Sequence, residues 1–203
     1  KTISAGELTV LSNEETLSVT VRCKQAEWST RDGFIPALQC KEGTFPFTSA
    51  ASVSHELFET GVGTGIRSTF SGFCGTPYTF ETLIWIEQTT EDVRFEWIPV
   101  TEDGLCVEKV FWPGEFSFET PSKNWYTVLT TGQGLLVPNT WETPLSPLPF
   151  NGFFETSGGY MPWFGQVKDR DGYIAICETP WNAGYTADHP ANGPYTHVSV
   201  YYE

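Results

Sequence analysis

Basic residues are scarce in this chain of 203 residues. Lys and Arg together number 11 against 25 Asp and Glu, so the formal net charge is −14. Proteins bind nucleic acids and anionic membrane surfaces through Lys and Arg, because those side chains neutralise phosphate. We therefore expect neither nucleic acid nor a membrane among the partners of this protein.

Long apolar runs are also missing from the sequence. No stretch reaches the roughly 20 apolar residues that a membrane-spanning helix needs, and no secretory signal is recognisable at the N-terminus. The chain begins at Lys1 and ends on an apparent strand, 196–202. We expect that a leader has been removed and that more protein follows, which predicts a secreted or periplasmic location.

The sequence has no recognisable metal or cofactor motif. Its five cysteines form no CxxC, and no Cys/His spacing suits zinc. Asp169 and Asp171 precede Gly172, but the other ligands of a calcium loop are missing, so a hairpin turn is the favoured interpretation. The glycines of 61–65 precede an extended run rather than a helix, unlike a phosphate-binding loop. We expect no metal and no cofactor.

The cysteines are interpreted as structural. Three of them, Cys23, Cys106 and Cys177, lie in apolar strand-like runs and are expected to be buried free thiols. Cys23 and Cys40 form the one pair that we consider for a disulfide. These cysteines do not fix the cellular compartment.

Aromatic residues and turn formers are abundant. The chain has 15 Phe, 8 Trp, 8 Tyr, 19 Gly and 14 Pro, with a single Met. Aromatic and β-branched residues favour strands, whereas helices favour Ala, Leu, Glu, Lys, Arg and Met. The balance predicts an all-β chain. Eight tryptophans exceed the needs of one core, so we expect some of them at a surface that meets a sugar ring or a neighbouring domain.

Alternating apolar residues and short polar turns locate the strands. A first hairpin is predicted from 8–11 and 17–21, and a second joins 159–165 to 173–178. Three successive segments predict an antiparallel meander: 78–86, 93–99 and 105–112. Three stretches without periodicity are interpreted as loops: 28–47, 139–151 and 179–194. Ten or more strands in one acidic chain suggest two large packed sheets.

Four short motifs follow one another in an order typical of one enzyme family: Trp112-Pro113-Gly114, Thr131-Gly132-Gln133-Gly134, Tyr160-Met161-Pro162-Trp163-Phe164-Gly165 and Gly172-Tyr173-Ile174-Ala175-Ile176-Cys177-Glu178. This succession resembles the β-sandwich domain that precedes the catalytic barrel in glycoside hydrolases of the endo-α-N-acetylgalactosaminidase type. The resemblance implies that residues 1–203 form a single domain, a large antiparallel β-supersandwich of the galactose-mutarotase-like group with few or no helices. It also implies that the domain is the N-terminal part of a longer enzyme.

The catalytic carboxylates of that family lie in a (β/α)₈ barrel. This chain shows no alternation of strands and helices, and 203 residues are too few for both domains. We therefore expect an accessory domain that is not itself catalytic. It would brace the barrel and shape one edge of the glycan cleft through the loops 139–165 and 179–194.

Two aromatic loop regions supply the candidate contact residues. Sugar rings stack on Trp and Tyr while their hydroxyls bond to Asp, Asn and Glu, and Trp and Tyr are equally enriched in protein interfaces. The same candidate set therefore serves either carbohydrate or interdomain contact: Trp141, Tyr160, Trp163, Trp181, Asn182, Tyr185 and Asp188.

Two alternatives stay open. The chain could be an independent carbohydrate-binding module that uses the same aromatic residues. It could also be an aldose-epimerase-like enzyme in which Glu178 and a histidine such as His197 exchange protons with a sugar. We predict no catalytic residue for the leading hypothesis.

Overall fold

The computed structural model describes residues 1–31, 33–101, 104–117, 122, 124–142, 150–153, 159–188 and 197–203. By its internal contacts the chain divides into two compact units, Lys1–Gly114 and Glu115–Glu203. Across the described residues the regular structure is strand, together with two short 3₁₀ turns at Phe47–Ser49 and Phe73–Gly75. The expectation of an all-β chain is confirmed.

The described part of the first unit contains eleven strands: β1 Thr2–Ala5, β2 Leu8–Ser12, β3 Val19–Cys23, β4 Ala26–Ser29, β5 Ala37–Cys40, β6 Gly43–Pro46, β7 Ser52–Glu59, β8 Gly63–Ser71, β9 Thr79–Glu87, β10 Asp92–Thr101 and β11 Val107–Phe111. Two antiparallel meanders, β1-β2-β3-β4 and β7-β8-β9-β10, are each built from consecutive strands. The predicted hairpin is confirmed as β2 and β3, in which Val10 pairs with Val21.

The predicted meander over 78–112 is confirmed only for its first two strands. β9 and β10 pair along their length, but β11 pairs with β5 instead of β10. The prediction missed β5 and β6 because their strands of four residues lie in a stretch that reads as a loop. Once formed, β5 offers an edge for β11, and a strand's own sequence does not say which edge it joins.

The core of the first unit is a cluster of aromatic rings. Phe80 is fully buried, and the centres of the Phe47 and Phe70 rings each lie 4.8 Å from the centre of its ring. Phe73 lies edge-on to the same ring at 5.4 Å. Offset and edge-to-face ring pairs of this kind add to the free energy gained from burial alone. The abundance of Phe in the sequence is thus explained in part by this core.

The described part of the second unit contains eight strands: β12 Glu115–Ser117, β13 Trp125–Thr131, β14 Leu135–Pro138, β15 Phe150–Phe153, β16 Gly159–Lys168, β17 Asp171–Ile176, β18 Ala183–Asp188 and β19 His197–Tyr202. One antiparallel sheet has the order β14-β13-β16-β17. β18 pairs with β15 and β19, and β12 pairs with β19. The predicted hairpin of 159–165 with 173–178 is confirmed as β16 and β17.

Both groups of strands contribute to the core of the second unit. Phe164 and Leu129 come from the β13 to β17 sheet, and Tyr185, Val198 and Val200 come from β18 and β19. The segment 179–194 was predicted as a loop, and this is wrong for 183–188, which form β18. The segment is rich in Gly, Pro and Asn, which indicate a loop, yet Ala183, Tyr185 and Ala187 of β18 are buried in the core.

The predicted supersandwich is not confirmed. The meanders have four strands each and join neighbours in sequence, as the blades of β-propellers do, whereas a supersandwich was expected to have two large sheets. The expectation of one domain over 1–203 stays a prediction.

The five cysteines are free thiols. Cys40 and Cys177 are buried, and burial raises the pKa of each to about 11. Cys23 is half-buried, and Cys106 is exposed, so the expectation that Cys106 is buried is wrong. The considered Cys23–Cys40 disulfide is absent. No helix among the described residues is long and apolar enough to cross a membrane.

Candidate functional site

All seven candidate contact residues belong to the second unit, but the structure places them in different environments. Trp181 is 67% exposed in the turn between β17 and β18, and Trp141, which follows β14, is 38% exposed. Both indoles are thus accessible to solvent. Asp188 ends β18 and is half-buried.

Tyr185 is part of the core rather than the surface. Its side chain is 1% exposed, and its hydroxyl hydrogen-bonds to the hydroxyl of Thr131 on β13. Packing in the core cluster with Leu129 and Phe164 of the β14-β13-β16-β17 sheet accounts for this burial. A residue without solvent access does not stack on a sugar, so Tyr185 stabilises the unit from within.

Asn182, just before β18, forms two hydrogen bonds with Glu203, the residue that follows β19. Its side-chain amide donates to the carbonyl oxygen of Glu203 at 2.9 Å, and the Glu203 backbone N–H donates to the Asn182 carbonyl at the same distance. Asn182 therefore positions the turn that carries Trp181. Its side-chain oxygen, Oδ1, is buried and has no hydrogen-bond partner in the part of the chain that the structure describes.

The remaining candidates lie on β16. The side chain of Tyr160 lies outside the described residues. Trp163 is half-buried, and its indole N–H donates to the sulfur of Met161 at 3.5 Å. Because alternate residues of a strand share a face, this contact is consistent with Trp163 and Met161 pointing to the same side of the sheet.

The face of the sheet that carries Trp163 is apolar across all four strands. Leu136, Val128, Gly165 and Ile174 form one cross-strand row, since each is the register partner of the next. Trp163 pairs with Ile176 in the adjacent row. Directly opposed residues of neighbouring strands project from the same side of a sheet. These rows therefore place five large apolar side chains on one side, hereafter the outer face: Leu136, Met161, Trp163, Ile174 and Ile176.

The opposite side of the same sheet faces the core. The row next to Leu136 and Ile174 consists of Leu135, Leu129, Phe164 and Ala175. Leu129 and Phe164 are buried, whereas Leu136, Ile174 and Ile176 are 56%, 64% and 67% exposed. Both sides of the sheet are thus apolar, and among the described residues only the side of Leu129 and Phe164 is covered.

The candidate residues of the outer face, apart from Trp163, were missed by the sequence reasoning. Tyr173 to Cys177 form an uninterrupted apolar run. Such a run is typical of a strand that is covered on both sides, whereas a half-exposed strand alternates apolar with polar residues. The apolar run of β17 is therefore the sequence signal that indicates the outer face.

The other sequence-predicted sites have less support. Glu178 is exposed, and the side chain of His197, its proposed partner, lies outside the described residues. Asp169 adopts a left-handed conformation with φ 55° in the turn between β16 and β17, as expected for a hairpin turn. Within the described ranges, no group of three or more His, Cys, Asp or Glu side chains is arranged to hold a metal ion.

The chain matches no protein-family model and no curated protein sequence. Its fold does match solved structures of the α-N-acetylgalactosaminidase NagBb from Bifidobacterium bifidum. The GalNAc complex of that enzyme matches with a TM-score of 0.92 and 45% sequence identity over 100% of this chain. The ligand-free form matches with a TM-score of 0.87 and 42% identity, again over the whole chain. This chain spans about a third of the length of these structures, 33% in each case.

Proposed function

We propose that this chain is an accessory, non-catalytic β domain of a glycoside hydrolase that acts on α-linked N-acetylgalactosamine. The observation that carries the proposal is the 45% identity, over the full chain, to one third of an α-N-acetylgalactosaminidase. At this identity, with a TM-score of 0.92, this chain and the matched third of that enzyme share the arrangement of their strands. The other two thirds of the relative have no counterpart here, and we place the catalytic carboxylates in that missing part.

The roles proposed for the domain are to brace a catalytic (β/α)₈ barrel and to border its glycan cleft. Trp181 and Trp141 are the side chains that we assign to contact with glycan or barrel, because they are exposed indoles beside turns. Asn182 supports Trp181 by fixing the turn to the end of β19. We propose a secreted or periplasmic location for the enzyme.

The experiment is an activity assay of the parent protein, meaning this chain together with the rest of its polypeptide. We expect the parent protein to hydrolyse an aryl α-N-acetylgalactosaminide and this chain alone to show no hydrolysis. Substitution of Trp181→Ala is expected to raise KM if the indole contacts glycan, and to leave KM unchanged if it contacts the barrel. Leu57→Ala, at a 57% exposed position of the first unit, serves as the control.

Two results would contradict the proposal. Hydrolysis by this chain alone would place catalytic groups within it. If the parent protein hydrolysed no N-acetylgalactosaminide, the proposed substrate class would be wrong. A change in tryptophan fluorescence when N-acetylgalactosamine is added to this chain alone would instead favour an independent carbohydrate-binding module.

A further inference from the structure

The outer face of the β14-β13-β16-β17 sheet has the composition of a buried protein interface. Four of its five members are among the most exposed large apolar side chains of the second unit, at 50% for Met161 and 56–67% for Leu136, Ile174 and Ile176. Soluble domains expose single apolar side chains routinely, but contiguous apolar patches mark sites of association. Interface cores are enriched in Trp and Met and depleted in charge, and no charged residue interrupts the two rows.

The shape and border of the face also fit a protein partner. Gly165 lies between Val128 and Ile174 in the cross-strand row and has no side chain, so the row has a low point at its centre. The turn that joins β16 to β17 places Asp169, Arg170 and Asp171 at one end, and all three are exposed. An apolar centre with a charged border is the usual anatomy of an interface.

A carbohydrate is a poorer occupant for this face. Sugar recognition combines an aromatic platform with carboxylate, amide or hydroxyl partners for the ring hydroxyls. Beside Trp163 on this side, Met161, Gly165 and Ile176 offer no such side-chain group. The nearby hydroxyl of Thr130 already donates to the carbonyl oxygens of Met161 and Trp163. The chemistry of the face selects an apolar protein surface.

We propose that the outer face is the docking surface for the catalytic part of the same polypeptide, the segment that corresponds to the two thirds of the relative absent here. This proposal rests on the proposed function. The length of the relative supports this occupant, because this chain corresponds to 33% of one longer polypeptide, the α-N-acetylgalactosaminidase. β17 is also an edge strand of its sheet, and an exposed apolar edge promotes aggregation unless another segment covers it.

The test uses Met161, the single methionine of this chain. Hydrogen peroxide converts an accessible methionine to its sulfoxide, and Met161 is 50% exposed in this structure. The site of oxidation is read by mass spectrometry in the intact parent protein, and the unfolded protein in urea supplies the unprotected rate. Exposure of half the side chain leaves little protection, whereas docking is expected to slow oxidation by at least about tenfold.

Two substitutions sharpen the test. The double variant Ile174→Asp with Ile176→Asp places charges on the outer face and should restore rapid oxidation of Met161 in the parent protein. Leu57→Asp introduces a charge at a comparably exposed position on β7 of the first unit. This control should leave the oxidation rate unchanged, which separates loss of docking from a general effect of added charge.

Three outcomes would overturn the inference. Oxidation of Met161 in the native parent protein at the unfolded rate would show an open face. Protection that appears only with added N-acetylgalactosamine would assign the face to carbohydrate, and protection that depends on protein concentration would assign it to a second copy. Because the readout does not involve hydrolysis, a protected Met161 in an inactive parent protein would leave docking intact and refute the proposed substrate.

Discussion

Tyr185 and Trp181 were assigned to one contact surface from the sequence, and the structure predicts opposite responses to their truncation. Tyr185 is 1% exposed and belongs to the core of the second unit, whereas Trp181 is 67% exposed. We expect Tyr185→Ala to destabilise the fold strongly and Trp181→Ala to leave its stability nearly unchanged. The two substitutions lie only four residues apart, which makes them a matched pair.

The magnitude for Tyr185→Ala follows from burial. An aromatic side chain buries roughly 150–250 Å², which at about 25 cal/mol per Å² corresponds to roughly 4–6 kcal/mol. This range is an upper bound, since the unfolded chain already hides part of that area. Buried aromatic residues replaced by alanine lose about 3–5 kcal/mol of stability, and we expect a loss in that range. Exposed positions such as Trp181 change stability by about 0.5 kcal/mol or less.

A conservative substitution separates the ring from its hydroxyl. Tyr185→Phe retains the ring and removes the hydrogen bond to Thr131. Thr131 is half-buried and can turn to water, so the expected loss is about 0.5–1.5 kcal/mol, the net contribution of one hydrogen bond. The order of stability should therefore be wild type, then Phe, then Ala.

The assay is urea denaturation followed by circular dichroism. With a slope of about 1–3 kcal/mol per M of urea, a loss of 3–5 kcal/mol lowers the midpoint by roughly 2 M, while the slope stays unchanged. The reasoning would be refuted if Tyr185→Ala unfolded at the wild-type midpoint. If that variant lost glycan binding while its stability was unchanged, Tyr185 would be a contact residue rather than a core residue.

Three further predictions concern packing, protonation and thiol access. A Cβ on Gly184 would lie 2.3 Å from the ring of Tyr201. Gly184→Ala should therefore lower the free energy of unfolding, measured in the same assay, by about 1–3 kcal/mol, the usual cost of overpacking. Burial lowers the pKa of His55, so the unfolded state binds a proton at a higher pH than the folded state does. The free energy of unfolding should therefore fall as the pH drops below about 6.5. His55→Gln should remove this loss of stability. In native protein, iodoacetamide should label the exposed Cys106 and spare the buried Cys177, whose pKa is about 11, as peptide mass spectrometry will show.

Hairpins were the most predictable feature of the fold. β2 and β3 were located from alternation and a polar turn, and β16 and β17 from the turn at 169–172 between two apolar runs, because these signals are local. β5 and β18 were missed. β5 has only four residues, too few for a period to emerge, and β18 lies in a segment rich in Gly, Pro and Asn that reads as a loop. The β structure of both is stabilised by the strands that they join.

The candidate site was likewise predictable only in part. Exposed indoles at Trp141 and Trp181 agree with the prediction of tryptophans at a surface. The burial of Tyr185 could not be read from its neighbours, because the Gly, Pro and Asn residues around it indicate a loop.

By itself, the sequence determined that the chain is all-β, acidic and rich in aromatic residues, since these properties depend on composition and on local alternation. Only the tertiary structure decided which side of the β13 to β17 sheet is covered. Tyr173 to Cys177 are apolar on both sides of their strand. Such a run indicates that both sides are suited to burial, but it does not identify the surface that covers each side. The packing of Phe164 and Leu129 against the core of the unit selects one side and leaves Ile174 and Ile176 exposed on the other.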